Sequence, residues 1–190
     1  MTAIASATRS KRLSREDFLA RALEVLSNDG ESELRIDRLV AAIGVTKGSF
    51  YWHFENRAEF VQSLAEYWKH WSTDRVLGEI KVLEAEPKGL LLKIQEIVTR
   101  GELSRYDLVM RSWATHEPEV AKIVRSVDEA RYGIVRRLFE RLGYQGEELH
   151  IRASTYVVST AFWSATNPRE SRKLSLKRLS AVLDILTASG

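Results

Sequence analysis

Cysteine is absent from the 190 residues. That excludes a disulfide scaffold, a thiolate metal site and a cysteine nucleophile, and it suits a reducing, cytoplasmic compartment. Proline occurs 3 times and glycine 10 times, too rarely for a fibrous or low-complexity chain. Neither sign of charge dominates: 29 Lys and Arg against 26 Asp and Glu leave +3. So mild an excess does not by itself identify a nucleic-acid partner. Long apolar runs are missing, so no segment can span a bilayer, and residues 1–11 lack the apolar core of a secretory leader. Gly-rich phosphate loops, metal-ligand spacings and nucleophile motifs are missing too. No enzyme, cofactor, metal or membrane partner is expected.

Hydrophobic residues make up 44% and charged residues 29%, a globular balance. Apolar residues recur at spacings of three and four with no sustained alternation, which predicts an all-α fold of about nine helices. Ser14 and Asp17 have capping-box spacing, and Leu13 and Phe18 have the spacing of a hydrophobic staple. A first helix therefore starts at Ser14, buries Phe18, Ala22, Val25 and Leu26, and ends at Gly30. A second helix covers 36–43, with Gly44 supplying a left-handed residue for the next turn. Thr46 caps a short third helix whose Phe50 and Phe54 face the core. Asn56 caps a long helix over 57–84. Further helices are expected over 88–102, 106–115, from Pro118 to Gly143, over 147–165 and over 175–187.

Residues 35–54 thus read as a helix-turn-helix. Such a unit is a small rigid tripod that presents one helix to a major groove. The presented face needs hydrogen-bond donors and little exposed aliphatic surface. Lys47, Ser49, Tyr51, Trp52 and His53 meet that need within seven residues. Trp52 is costly to expose unless it meets something, so it either contacts a partner or packs onto the first helix. His53 has no second His at i±4 and does not read as a metal ligand. Residues 1–12 have no amphipathic pattern and carry Arg9, Lys11 and Arg12; this flexible basic arm reaches DNA or is a solvated tail.

The run Leu39-Val40-Ala41-Ala42-Ile43-Gly44-Val45-Thr46-Lys47-Gly48-Ser49-Phe50-Tyr51-Trp52-His53-Phe54, followed by Asn56-Arg57 and Phe60, resembles the tetracycline-repressor (TetR) family of transcriptional regulators. The motif covers about the first third of the chain; the remainder matches in layout. The resemblance implies a homodimer whose three N-terminal helices bind double-stranded operator DNA and whose larger C-terminal domain dimerises and holds a small-molecule effector. Most members repress and are released by that effector. The implied domains are 13–57 for DNA binding and 58–190 for effector binding and dimerisation. Thr46 and Tyr51 match positions that contact phosphates, Lys47, Ser49 and Trp52 match base or backbone contacts, and His53 matches a backbone contact. Arg57 stands at the start of the fourth helix where the family usually has Lys. Val40 and Ile43 replace small Ala residues. Arg35 replaces a usual Thr or Ser, so a hydroxyl cap is missing, although a guanidinium can reach a phosphate.

Small residues over 153–165 and the stripe Leu176, Leu179, Leu183 and Leu186 suggest either a four-helix dimer face built from the last two long helices or packing within one chain. Trp68, Trp71, Trp113 and Tyr156 are candidates to line an apolar effector cavity, with Arg111 or His116 as polar anchor; aromatics at helical spacing are otherwise ordinary core. The alternative to a regulator is a helical ligand-binding or protein-interaction module that keeps the fold and does not bind operator DNA.

Overall fold

A computed structural model describes residues 13–81 and 85–188. The basic arm and the end of the helix expected over 57–84 lie outside the described residues. Among those described there is no strand, as the spacing predicts.

Helix α1 spans Arg15–Asp29. The Ser14 hydroxyl accepts from the Asp17 N–H at 3.0 Å, and the Ser14 N–H donates back to the Asp17 carboxylate at 3.2 Å. One 3-10 turn, Glu31–Leu34, then leads into α2, Ile36–Ile43. Gly44 adopts φ 78, the left-handed value needed to reverse direction within a few residues. Helix α3, Lys47–His53, starts at Thr46, whose hydroxyl accepts from the Ser49 N–H at 3.2 Å.

Helix α4, Arg57–Lys69, is capped by Asn56. It continues through a π turn, His70–Asp74, into α5, Arg75–Lys81. The expected single rod is present, but the π turn reseats its inner face and buries Ser72 and Thr73. Then come α6, Pro87–Arg100; α7, Ser104–Ala114; α8, Pro118–Arg141; and α9, Gly146–Thr166. Helix α10, Arg172–Leu186, begins three residues before the expected 175. Ser171 supplies its cap by accepting from the Leu174 N–H, whereas Ser175 is buried and reaches Glu170.

Two apolar clusters hold these helices. The first runs from Phe18 through Phe50, Phe54 and Phe60 along α4 to Trp68, and includes Met110 and Trp113 of α7 and the front half of α8. It crosses residue 58 without a break. The second joins Ile80, Leu91, Ile94, Phe139, Tyr156 and Leu183, from α5, α6, the rear half of α8, α9 and α10. No helix among the described residues is long and apolar enough to cross a membrane.

Of the leucine stripe suggested either as a dimer face or as packing within one chain, Leu176 and Leu186 are partly buried. Leu179 and Leu183 are buried in their own subunit, Leu183 in the second cluster, so packing within the chain has claimed them. The apolar side chains left outside lie on other faces of the same helices: Ile151 and Val158 on α9, Leu174 and Ile185 on α10.

Candidate nucleic-acid interface and internal cavity

The outer face of α3 follows from its inner one. Phe50 and Phe54 pack edge-on against Phe18 and Phe60, with ring centroids 5.2–6.0 Å apart for the contacts Phe18–Phe50, Phe18–Phe54, Phe50–Phe60 and Phe54–Phe60. With those rings inside, the helical turn directs Tyr51 and Trp52 outward, 56% and 65% exposed. Trp52 therefore does not pack away onto α1. Tyr51 is braced by the edge of Phe50 at 5.2 Å. His53 is held differently from the expectation. Its Nε2 lies 3.0 Å from the Leu13 carbonyl oxygen and the ring is half-buried. A carbonyl only accepts, so Nε2 carries the proton and His53 ties α3 to the entry of α1.

The cations of this face have carboxylate neighbours. Lys47 Nζ lies 2.5 Å from Asp37 Oδ1, and the hydrogen bond to that carboxylate holds the ammonium above its ordinary pKa. Arg57 donates to Glu117 at 3.1 Å, and Arg15 to Glu59 at 2.7 Å. These pairs are solvent-exposed, and such pairs are worth about 0–1 kcal/mol each. A phosphate that offers more contacts can displace the carboxylate. Arg35 is exposed at the start of α2 and makes no side-chain cap, as the missing hydroxyl implies. Thr46, Lys47, Tyr51, Trp52, Arg35 and Arg57 are all exposed, and Ser49 and His53 are half-buried, His53 with its Nε2 on the Leu13 carbonyl. Asp37 and Glu117 were not foreseeable as partners, because nothing local marks them.

Residues 18–64 match the family described as "Bacterial regulatory proteins, tetR family". That match spans α1 to the middle of α4, including the whole of α3 and its exposed face. The N-terminal helices are thus similar to those of tetR-family regulators, over about a quarter of the chain. Its sequence is 38% identical over 55 residues to the tetracycline repressor protein class C of Escherichia coli, covering 29% of this chain and 25% of that protein. It is 24% identical over 142 residues to the nucleoid occlusion factor SlmA of Cronobacter sakazakii, covering 72% of this chain and 65% of that protein. The chain thus spans a quarter of the first relative and just under two thirds of the second. The TetR fold extends through the rest: the structure of AibR in complex with isovaleryl coenzyme A and operator DNA aligns with TM-score 0.70 at 15% identity, covering 88% of this chain and 97% of that one.

The side chains expected around an effector cavity do not converge. Trp68 and Trp113 are fully packed into the first cluster. Trp71 lies against Tyr106, with ring centroids 5.2 Å apart, and faces a surface groove beside Tyr67. Arg111 is paired with Asp128, and exposed His116 lies 3.6 Å from Glu31. Tyr156 alone of the six lines the internal cavity. Spacing places an aromatic on a helix face but does not say whether that face meets packing or space.

The cavity lies between the π turn with α5, α6, α7, α8 and α9, with about 50 Å³ open to water-sized occupants. Its wall is mostly aliphatic, with Asp107 and Arg131 at one end. Arg131 donates to both Asp107 oxygens, at 2.6 and 3.2 Å, to Thr73 Oγ1 at 3.0 Å and to Ser72 Oγ at 3.3 Å. Tyr156 donates to the Leu91 carbonyl at 2.5 Å, and burial pushes its phenol pKa far up, so it stays protonated. The signal for the ion pair was present in the sequence. Asp107 sits on the apolar stripe of α7 with Leu103 and Met110, and Arg131 sits on that of α8 between Val127 and Val135. A charge on each of two core stripes asks for a partner.

Proposed function

We propose that the protein is a sequence-specific DNA-binding transcriptional regulator of the cytoplasm, acting as a homodimeric repressor released by a small-molecule effector. Residues 13–57 serve as its DNA-binding domain and 58–190 as its effector and dimerisation domain. The observation that carries this reading is the outward face of α3, where exposed Lys47, Tyr51 and Trp52 stand over a rigid phenylalanine core. A donor-rich short helix on a packed tripod fits a major groove. Two copies place their α3 helices in successive grooves of a near-palindromic site, with half-site centres about 10 base pairs apart or a multiple of that.

The test is site selection from random duplexes with the purified full chain, followed by anisotropy titration. Affinity is expected to fall steeply with salt, because bound cations release counterions from phosphates. Tyr51→Ala is expected to weaken all sequences together, and Lys47→Ala to weaken the selected site, each by about 1–3 kcal/mol. Unchanged binding by both variants refutes the assignment.

The exposed apolar side chains of α9 and α10 support pairing through these two helices. Two such pairs form a four-helix bundle, and each buried Val or Ile contributes about 1.5–3 kcal/mol. Val158→Glu combined with Ile185→Glu is expected to convert the dimer to a monomer in sedimentation velocity and to abolish the affinity that comes from two linked half-sites. A persistent dimer places the interface elsewhere.

The alternative, an interaction module that does not bind operator DNA, is favoured by one observation: Lys47 and Arg57 are each paired with a carboxylate of their own chain. It predicts no selected sequence at physiological salt.

A further inference from the structure

The polar end of the cavity is charged but neutral in sum. The Asp107 side chain is 2% exposed and that of Arg131 15%, and their two hydrogen bonds match the fork of a guanidinium to the two oxygens of one carboxylate. An incoming carboxylate would have to share that guanidinium with Asp107 at hydrogen-bonding distance, bringing two anions together where water cannot screen them. An incoming ammonium would face Arg131 in the same low-dielectric space. Either ion also gives up its hydration on entry. A neutral head group meets none of this like-charge repulsion.

One group in the wall lacks a partner. Thr160 is 4% exposed, and its Oγ1 is buried without a hydrogen-bond partner. A buried hydroxyl left unpaired is costly, and such groups in native proteins call for an explanation. The polar neighbour of Thr160 in the wall is the Tyr156 hydroxyl, which gives its own proton to the Leu91 carbonyl and offers Thr160 only a weak contact outside normal hydrogen-bond geometry. Thr160 therefore remains able both to donate to a guest and to accept from it. Ser72 and Thr73 already hold Arg131, and the rest of the wall, including Val76, Ile94, Leu103 and Val135, offers apolar contact.

We propose that this cavity takes a neutral, mostly apolar molecule with a single hydrogen-bonding head group, read by Thr160, and rejects carboxylates and amines of the same carbon skeleton. The proposal rests on the effector reading above and names the chemistry of its ligand. The open space is small, so the guest pushes the wall outward. Leu77, Val98, Ile134 and Val157 are only partly buried, and the π turn is the segment of the α4–α5 rod with the least regular backbone bonding. A guest that pushes the wall outward beside Ser72 and Thr73 presses on that rod, whose other end carries Arg57 beside α3.

The test uses 1-hexanol, hexanoate and hexylammonium, titrated calorimetrically into the purified 190-residue protein without DNA. Hexanol is expected to bind about tenfold or more tighter than either ion. Thr160→Val keeps the shape and removes the hydroxyl, and is expected to weaken hexanol about fivefold or more, with Thr160→Ser restoring it. Equal or tighter binding of either ion, no binding by any of the three, or unchanged hexanol affinity in Thr160→Val overturns the proposal. The ranking on the unaltered chain stands even where a variant folds poorly. Operator release is scored separately. Hexanol that binds without weakening DNA affinity supports the ligand class and removes the effector reading; release driven by hexanoate at this cavity does the reverse.

Discussion

Asp107→Ala is expected to lower the unfolding free energy by about 3–5 kcal/mol, seen as a lower denaturant midpoint at unchanged slope and fixed protein concentration. The size comes from what is left behind. The Asp107 side chain is 2% exposed, and it is the one carboxylate bonded to Arg131 among the described residues; the other partners of Arg131 are the neutral hydroxyls of Ser72 and Thr73. Truncation leaves a buried cation with no counter-charge. The Arg111–Asp128 pair uses the same residue types between the same two helices, with side chains 33% and 42% exposed. Water reaches its remaining partner, so Asp128→Ala is expected to cost about 0–1 kcal/mol. The two variants are therefore expected to differ by several kilocalories per mole in the same denaturation experiment. Equal effects would show that Arg131 reaches water when its partner is removed. Replacing both members of the inner pair by Leu and Met is expected to recover most of the stability, because apolar groups of similar volume need no partner. That same double variant would erase the neutral ion pair from the cavity wall.

How far the sequence speaks depends on whether a residue's partner is close along the chain. The helix starts at Ser14, Thr46 and Asn56 were legible because each cap acts on a backbone N–H three residues away. Gly44 was legible because a sharp reversal after a short helix needs a left-handed residue. The inward direction of Phe50 and Phe54, and so the outward direction of Tyr51 and Trp52, follows from the helical repeat alone. What escaped depends on distant partners. His53 is taken by the Leu13 carbonyl, 40 residues away. Lys47 meets Asp37, and Arg57 meets Glu117, through tertiary placement. The π turn leaves no period of its own in five residues, yet it turns Ser72 and Thr73 inward and thereby sets the polar end of the cavity. The tryptophans misled for a related reason: a large ring lines a space only where its neighbours fail to fill it, and around Trp68 and Trp113 they do fill it.

Phe18→Ala is expected to unfold the DNA-binding helices while the rear of the molecule stays ordered. Phe18 is fully buried at the centre of a cluster in which its ring meets Phe50, Phe54, Phe60 and His53 at centroid distances of 6.0, 5.4, 6.3 and 6.0 Å. Removing a buried phenylalanine ring costs about 3–5 kcal/mol. Each aromatic pair that the ring makes is worth roughly 0.5–1.5 kcal/mol beyond the area it buries. The exposed pairs Arg15–Glu59 and Lys47–Asp37 cannot compensate, since each supplies about 0–1 kcal/mol. The second cluster contains none of these rings and keeps its own packing from α5 to α10. Amide exchange is therefore expected to quicken over α1 to α3 and to stay slow in α9 and α10, while operator affinity falls by more than about tenfold. Tyr51→Ala is expected to give the contrasting result, weaker affinity with exchange unchanged, because its exposed ring lies outside the tripod core and is proposed to face DNA. A single cooperative collapse of both clusters in Phe18→Ala would show instead that the α4 and α8 helices, which enter the first cluster, transmit its disruption to the whole subunit. In that case the DNA-binding helices and the cavity share one folding unit, and any ligand that spreads the cavity wall acts on α3 through stability as well as through position.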